Sequence, residues 1–219
     1  MTTITKSGPF DSAVSAIRAR TKLQPVAAIV LGSGLGALAD EVGDAVRIPF
    51  ADIPGWKRST VPGHAGELVV GTLSGKPVAV MKGRLHFYEG YDIADVAYPM
   101  RVFKAWGIDT VILTNACGGL NPKYKAGDLM VISDHINFMA ANPLHGPNDE
   151  ALGPRLSTVP EVLVARHSGM RILAISTVTD MATGIPGQIE HVSHEEVLAV
   201  ANRAGKRLAE VVKGVVARL

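Results

Sequence analysis

Apolar residues along this chain fall into short unbroken runs, divided by turn-forming clusters and by stretches of helical spacing. Residues 26–31 form a continuous apolar run, the pattern of a strand buried on both faces. Residues 110–113 and 128–133 read as further strands of this kind, and 171–178 as another strand. Residues 68–73 and 78–81 flank Ser74-Gly75-Lys76-Pro77, a hairpin signal. Helical spacing marks 10–20, where Val14 and Ile17 share a face, and 94–106, where Val96, Met100 and Phe103 do. Residues 35–41 and 159–167 also read as helices. Residues 193–219 read as a long terminal helix opened by the capping box Ser193-His194-Glu195-Glu196. Residues 138–156, with Asn142-Pro143 and Gly146-Pro147-Asn148-Asp149, read as loop. Buried strands alternating with helices predict an α/β fold with a largely parallel or mixed sheet, and a ligand site at the strand ends.

Composition narrows this without redirecting it. A chain of 219 residues with 47% hydrophobic content supports one domain with a sizeable core. Aromatic residues are only 5%, so aliphatic side chains must build that core. A net charge of +2, with no basic block, argues against a nucleic-acid partner. No apolar run approaches the roughly 20 residues of a membrane span, and residues 1–10 lack the apolar stretch of a secretion signal. The single cysteine, Cys117, rules out an internal disulfide and fits a reducing cytoplasm.

The candidate chemistry centres on residues 82–91. They follow the predicted strand 78–81, and Arg84 and His86, two apart on extended chain, point the same way. Arginine offers a rigid fork of donors for phosphate or carboxylate, and histidine titrates near neutral pH. The same pattern also suits a surface arginine beside a histidine packed under Phe87 and Tyr88. The loop Gly32-Ser33-Gly34-Leu35-Gly36 can cradle an anion, with Ser33 adding a hydroxyl. It also approaches the dinucleotide fingerprint, Gly32-x-Gly34-x-x-Ala37, with Asp52 twenty residues beyond Gly32 where a ribose-binding acid would stand. His64 lies between glycines in a loop. The small residues 115–119 close a strand and would let a flat ligand approach. Cys117 reads as a small core group rather than a nucleophile. Glu89 and Asp92 read as solvent-facing or capping. His191 and His194 lack a third metal ligand, so no metal site is expected.

Taken in order, Leu31-Gly-Ser-Gly-Leu-Gly36, Gly63-His-Ala-Gly66, Gly83-Arg-Leu-His-Phe-Tyr-Glu-Gly-Tyr91, Thr114-Asn-Ala-Cys-Gly-Gly-Leu-Asn-Pro122, Ser157-Thr-Val-Pro-Glu161 and His194-Glu-Glu-Val197 span nearly the whole chain. This set resembles the trimeric purine nucleoside phosphorylases, a family shared with the methylthioadenosine phosphorylases. The resemblance implies a single-domain nucleoside phosphorylase-like fold with a mixed central sheet flanked by helices. It implies a pentosyltransferase of purine salvage, which converts a purine nucleoside and phosphate to free purine and ribose 1-phosphate. It implies no cofactor beyond the phosphate co-substrate, and a homotrimer. Carried over by motif, Ser33, His64, Arg84, His86, the Ala116 backbone and Ser157 would bind phosphate. Tyr88 would wall the ribose pocket, His194 would meet the sugar 5′-hydroxyl, and Asp180 would face purine N7. His86 and Asp180 are the expected catalytic groups.

Two positions depart from the family. Asp180 stands where the 6-oxopurine enzymes carry Asn, whose amide both donates and accepts. An ionised Asp only accepts, which suits an exocyclic amino group, so 6-aminopurine nucleosides are expected substrates. The second departure is that Gly153-Pro154-Arg155 meets Ser157 through Leu156 alone. The family carries a further segment there of roughly 60 residues, the size of a small domain. That segment holds a buried strand, a helix, the purine-binding Glu and an aromatic residue that reaches the neighbouring subunit. Either the chain is truly shortened there, which predicts an exposed core face and an impaired base pocket, or the natural chain carries the segment and has a mass well above 23.0 kDa. A catalytically impaired phosphate- or purine-binding paralogue is therefore a second reading. An NAD-dependent Rossmann dehydrogenase and a non-catalytic structural domain are further ones.

Overall fold

The computed structural model describes residues 8–32, 36–58, 66–137, 141, 160–181 and 194–219. Its strands are β1 (Ala27–Leu31), β2 (Gly43–Pro49), β3 (Glu67–Leu73), β4 (Lys76–Lys82), β5 (Thr110–Gly119), β6 (Leu129–Val131) and β7 (Arg171–Met181). Its helices are α1 (Asp11–Arg20), α2 (Ile93–Trp106), α3 (Pro160–His167) and α4 (His194–Val216). The strands form one mixed sheet in the order β2-β3-β4-β1-β5-β7-β6. The strands β4, β1, β5 and β7 run parallel, while β2 with β3, β3 with β4 and β6 with β7 are antiparallel.

The unbroken apolar run of β1 is explained by burial on both faces, since every one of its residues is buried. Ala28 and Val30 join a cluster with Ile17 of α1, Phe103 and Trp106 of α2 and Leu163 of α3. Ile29 and Leu31 point the other way, into a cluster with Leu208, Val212 and Val216 of α4. Helices therefore cover both faces, as a parallel core requires. Each large side chain taken from water there contributes about 1.5–3 kcal/mol.

The predicted hairpin forms with a shorter turn. Only Ser74 and Gly75 leave the ladder, both with positive φ (49° and 76°), the geometry whose twist matches paired strands. Lys76 and Pro77 already belong to β4, with Pro77 at the second residue of the strand.

Four expectations need correction. The helix over 35–41 is a run of tight 3₁₀ turns over Gly36–Glu41. The strand expected at 110–113 continues through Gly119, because β7 pairs with it as far as Gly119 and Met181. The strand expected at 128–133 is only Leu129–Val131. It is half exposed, because it pairs with β7 and ends the sheet. The strand β2 was not anticipated. It is a largely exposed edge strand held by pairing with β3, so it leaves almost no apolar signature. Ser193 and residues 138–140 and 142–156 lie outside the described residues, so the capping box and most of the expected loop do too.

Candidate functional site

The described candidate groups gather at the carboxyl ends of the parallel strands. Arg84, His86 and Tyr88 follow β4, Gly32 follows β1, Ala116 lies late in β5, and Asp180 lies late in β7. The chain lies to one side of β1 as β2–β4 and to the other as β5–β7, so Gly32 sits at the point where strand order reverses. Open α/β sheets bind their ligands in such a crevice. Ser33, His64 and Ser157 lie outside the described residues, as does the side chain of His194, which opens α4.

Residues 84–89 are bracketed by Gly83 and Gly90, whose φ values of 99° and 87° belong to the left-handed region that disfavours a Cβ. Between them the chain turns tightly, and the turn organises the histidine. The His86 backbone N–H donates to Glu89 Oε1 at 2.7 Å, and its ring Nδ1 lies 3.1 Å from the same oxygen. An acceptor at Nδ1 selects the tautomer protonated there. The Glu89 side chain is only 2% exposed, so it caps the turn from inside and does not face solvent. The His86 ring also stacks on Tyr88, with centroids 4.7 Å apart and planes 19° from parallel. Tyr88 itself is 75% exposed and presents its other face outward.

Arg84 is approached from across the cavity. Its Nη1 lies 3.6 Å from Oε1 of Glu161, in the first turn of α3. Arg84, His86, Phe87, Tyr88, Val96 and Glu161 are among the residues lining a cavity of about 360 Å³. That is within the range of small-molecule sites.

At the end of β1 the contacts are close and largely with backbone. Gly32 N–H donates to the Thr114 hydroxyl at 3.1 Å, and that hydroxyl donates to the Val30 carbonyl at 2.9 Å, all buried. A Cβ on Gly32 would stand 2.8 Å from Asn115 Cα and from the Thr114 carbonyl, so β1 can leave the sheet only as glycine here. Pairing of β1 with β5 runs from Ala28–Val111 to Val30–Leu113, so Ala116 lies beyond it along β5. Asn115 accepts the Ser176 hydroxyl at 2.9 Å and donates to the Ala116 carbonyl at 3.0 Å.

Asp180 follows an irregularity in the β5–β7 ladder. Cys117 pairs with Val178 and Gly118 with Asp180, which leaves Thr179 as the extra residue. The Thr179 hydroxyl donates to Asp180 Oδ1 at 2.7 Å. The other carboxylate oxygen lies over Gly118, 3.1 Å from where a Cβ would be. Burial pushes the neighbouring Cys117 thiol up. A hydrogen bond from Ser176 opposes that, and the Asp180 charge adds to it. A thiol held protonated is a poor nucleophile, in keeping with a packing role.

The dinucleotide reading fails on topology. Its acid would stand at the end of a second parallel strand beside β1, whereas β2 is the edge strand, separated from β1 by β3 and β4. Asp52 instead lies 3.6 Å from Arg20 of α1 as an exposed ion pair. Sequence reasoning gave no role to Glu161, and it left Glu89 ambiguous. Thr114 was passed over too, although a polar residue ending the apolar run 110–113 was a visible signal.

The phosphorylase superfamily model matches residues 26–157 and 156–217, two stretches that meet at 156–157. Purine nucleoside phosphorylase 1 of Geobacillus stearothermophilus is 38% identical over 265 aligned residues, covering 94% of this chain and 96% of that one. The purine nucleoside phosphorylase of Rattus norvegicus is 36% identical, covering 90% of each. Among solved structures, a schistosoma purine nucleoside phosphorylase in complex with hypoxanthine superposes with a TM-score of 0.88 at 30% identity, over 96% of both chains. The Schistosoma mansoni enzyme in complex with adenosine superposes with a TM-score of 0.87 at 31% identity.

Proposed function

This chain belongs to the phosphorylase superfamily, and we propose that it is a purine nucleoside phosphorylase acting on purine (2′-deoxy)ribonucleosides. The observation that carries the reading is the Arg84–His86 pair. Both side chains line one cavity, between the segment after β4 and the start of α3, each beside a buried carboxylate. A fork of donors and an oriented imidazole suit a phosphate dianion. Ser33, His64, Ser157 and the Ala116 backbone complete the proposed phosphate site, while Tyr88 and His194 take the sugar.

In the reaction the glycosidic C1′–N9 bond breaks and its electron pair leaves with the purine. Positive charge then develops on the sugar. Phosphate oxygen forms the new bond to C1′, giving (deoxy)ribose 1-phosphate, and the proton that phosphate gives up passes through water to purine N7. The groups around phosphate act mainly by holding it in line beneath C1′. Asp180, fixed by Thr179 at one oxygen and lying over Gly118 with the other, meets the base. As an acceptor it favours an exocyclic amino group, so adenosine is an expected substrate beside inosine. Rates of adenosine and inosine phosphorolysis by the native chain and by Asp180→Asn test this. The ratio should move toward inosine in the variant. A strong inosine preference in both would defeat the assignment.

No metal or organic cofactor enters this scheme; inorganic phosphate is the co-substrate. A single domain in the cytoplasm, assembled as a homotrimer, completes the reading. A second reading, a phosphate- or purine-binding relative with impaired turnover, is favoured by one observation. The family model matches in two stretches that meet at 156–157, as they would if the intervening family segment were absent. Phosphate binding by calorimetry without turnover would select it.

A further inference from the structure

We infer that Glu161 is a positioning residue that holds the Arg84 guanidinium ready for phosphate. The inference rests on the phosphate site proposed above. A carboxylate with an 11% exposed side chain, lining a cavity meant for a dianion, is at first sight misplaced. It would repel the ligand, and burying its charge is costly unless a cation stands beside it. Arg84 is such a cation, with Nη1 at 3.6 Å. That separation is too long for a hydrogen bond, so the attraction is between charges and does not tie up the fork in a bidentate pair. Glu161 thus differs from a competitor that would fill the phosphate's place.

The carboxylate is also the more firmly placed partner. It sits in the first turn of α3, where the helix N-terminus favours negative charge. Leu163 and Val164 of the same helix are buried in the core. Arg84 instead extends from the segment after β4, on a long side chain with many rotamers. A fixed charge beside the guanidinium narrows its orientations before ligand arrives, which is how preorganisation raises affinity.

The test uses the full chain as Glu161→Ala and Glu161→Gln, with inorganic phosphate as the calorimetric ligand. Melting temperatures and separate KM values for phosphate and nucleoside are measured alongside. Glu161→Ala should weaken phosphate binding about tenfold, the scale of one charge-assisted contact. Glu161→Gln, which keeps an acceptor oxygen, should weaken it about threefold. In any variant that turns over, KM for phosphate should rise while KM for nucleoside stays put. Unchanged or tighter phosphate binding in a folded Glu161→Ala overturns the inference. If that variant does not fold, the same result in Glu161→Gln overturns it. So does an equal rise in both KM values. A native chain that binds no phosphate refutes the underlying site itself, an outcome distinct from a native chain that binds and variants that do not differ.

Discussion

At the scale of single residues, the site depends on groups whose exact chemistry matters more than their charge. Arg84 contributes a planar fork that lysine cannot reproduce. Arg84→Ala is expected to lower kcat/KM for phosphorolysis by about a hundredfold, roughly 2.7 kcal/mol. Arg84→Lys, which keeps the charge, should recover only a minor part of that loss. Steady-state assays with phosphate as the varied substrate check both. Gly32 depends on shape alone. A methyl group there would meet Asn115 Cα and the Thr114 carbonyl at 2.8 Å, and these are backbone atoms with no room to yield. Gly32→Ala should destabilise the fold by about 1–3 kcal/mol through overpacking, read as a lower midpoint in urea. An unchanged midpoint would mean that β1 and β5 can part at that point. The Arg84–His86 pair was legible because both residues carry chemistry and stand two apart on extended chain. Glu161 was not, because nothing local marks a glutamate in a helix as facing an arginine 77 positions earlier.

At the scale of elements, strands read well where both faces are buried and poorly at the edges of the sheet. β1 and β4 were visible as apolar runs, whereas β2 was missed and β6 overextended, each being an edge strand that shows solvent one face or more. Ion pairs join the turns at Gly36–Glu41 to these strands. Asp40 lies 2.8 Å from Lys82 of β4 and 2.9 Å from Arg47 of β2. The Lys82 ammonium first, and Arg47 after it, hold the Asp40 carboxyl below its ordinary value of 3.8 despite some burial that pushes the other way. A carboxyl depressed in the folded state stabilises the fold at pH above its ordinary value and loses that contribution as pH falls through the folded one. Asp40→Asn should therefore lower the melting temperature by a small amount at neutral pH, and the gap should close below pH 3.8. The effect is small because the carboxylate is 56% exposed and screened by solvent. A gap that persists in acid would mean that the aspartate acts through hydrogen bonding and not charge.

At the scale of the whole molecule, the junction at Leu156, where the two matched stretches meet, decides what the chain can do. The apolar side chains of Leu120, Val131 and Ile136 are 78%, 65% and 79% exposed. The sequence as written corresponds to 23.0 kDa. An intact mass at that value would mean that the chain truly lacks the segment, and light scattering should return three times it if the proposed homotrimer forms. A mass well above it would mean that the natural chain carries the segment. A monomer of 23.0 kDa would point to lost assembly as well as an altered base pocket.

What the sequence determined alone was the set of ordered motifs, the buried parallel strands and the residue types able to hold a phosphate. These are local properties, since hydrophobic period and side-chain chemistry need no partner to be read. Only the tertiary structure decided that β2 lies at an edge away from β1, which removed the dinucleotide reading. It also turned Glu89 inward onto His86 and set Glu161 against Arg84. Each of these depends on which distant segments meet, and burial of a charge beside its partner is a property of that meeting.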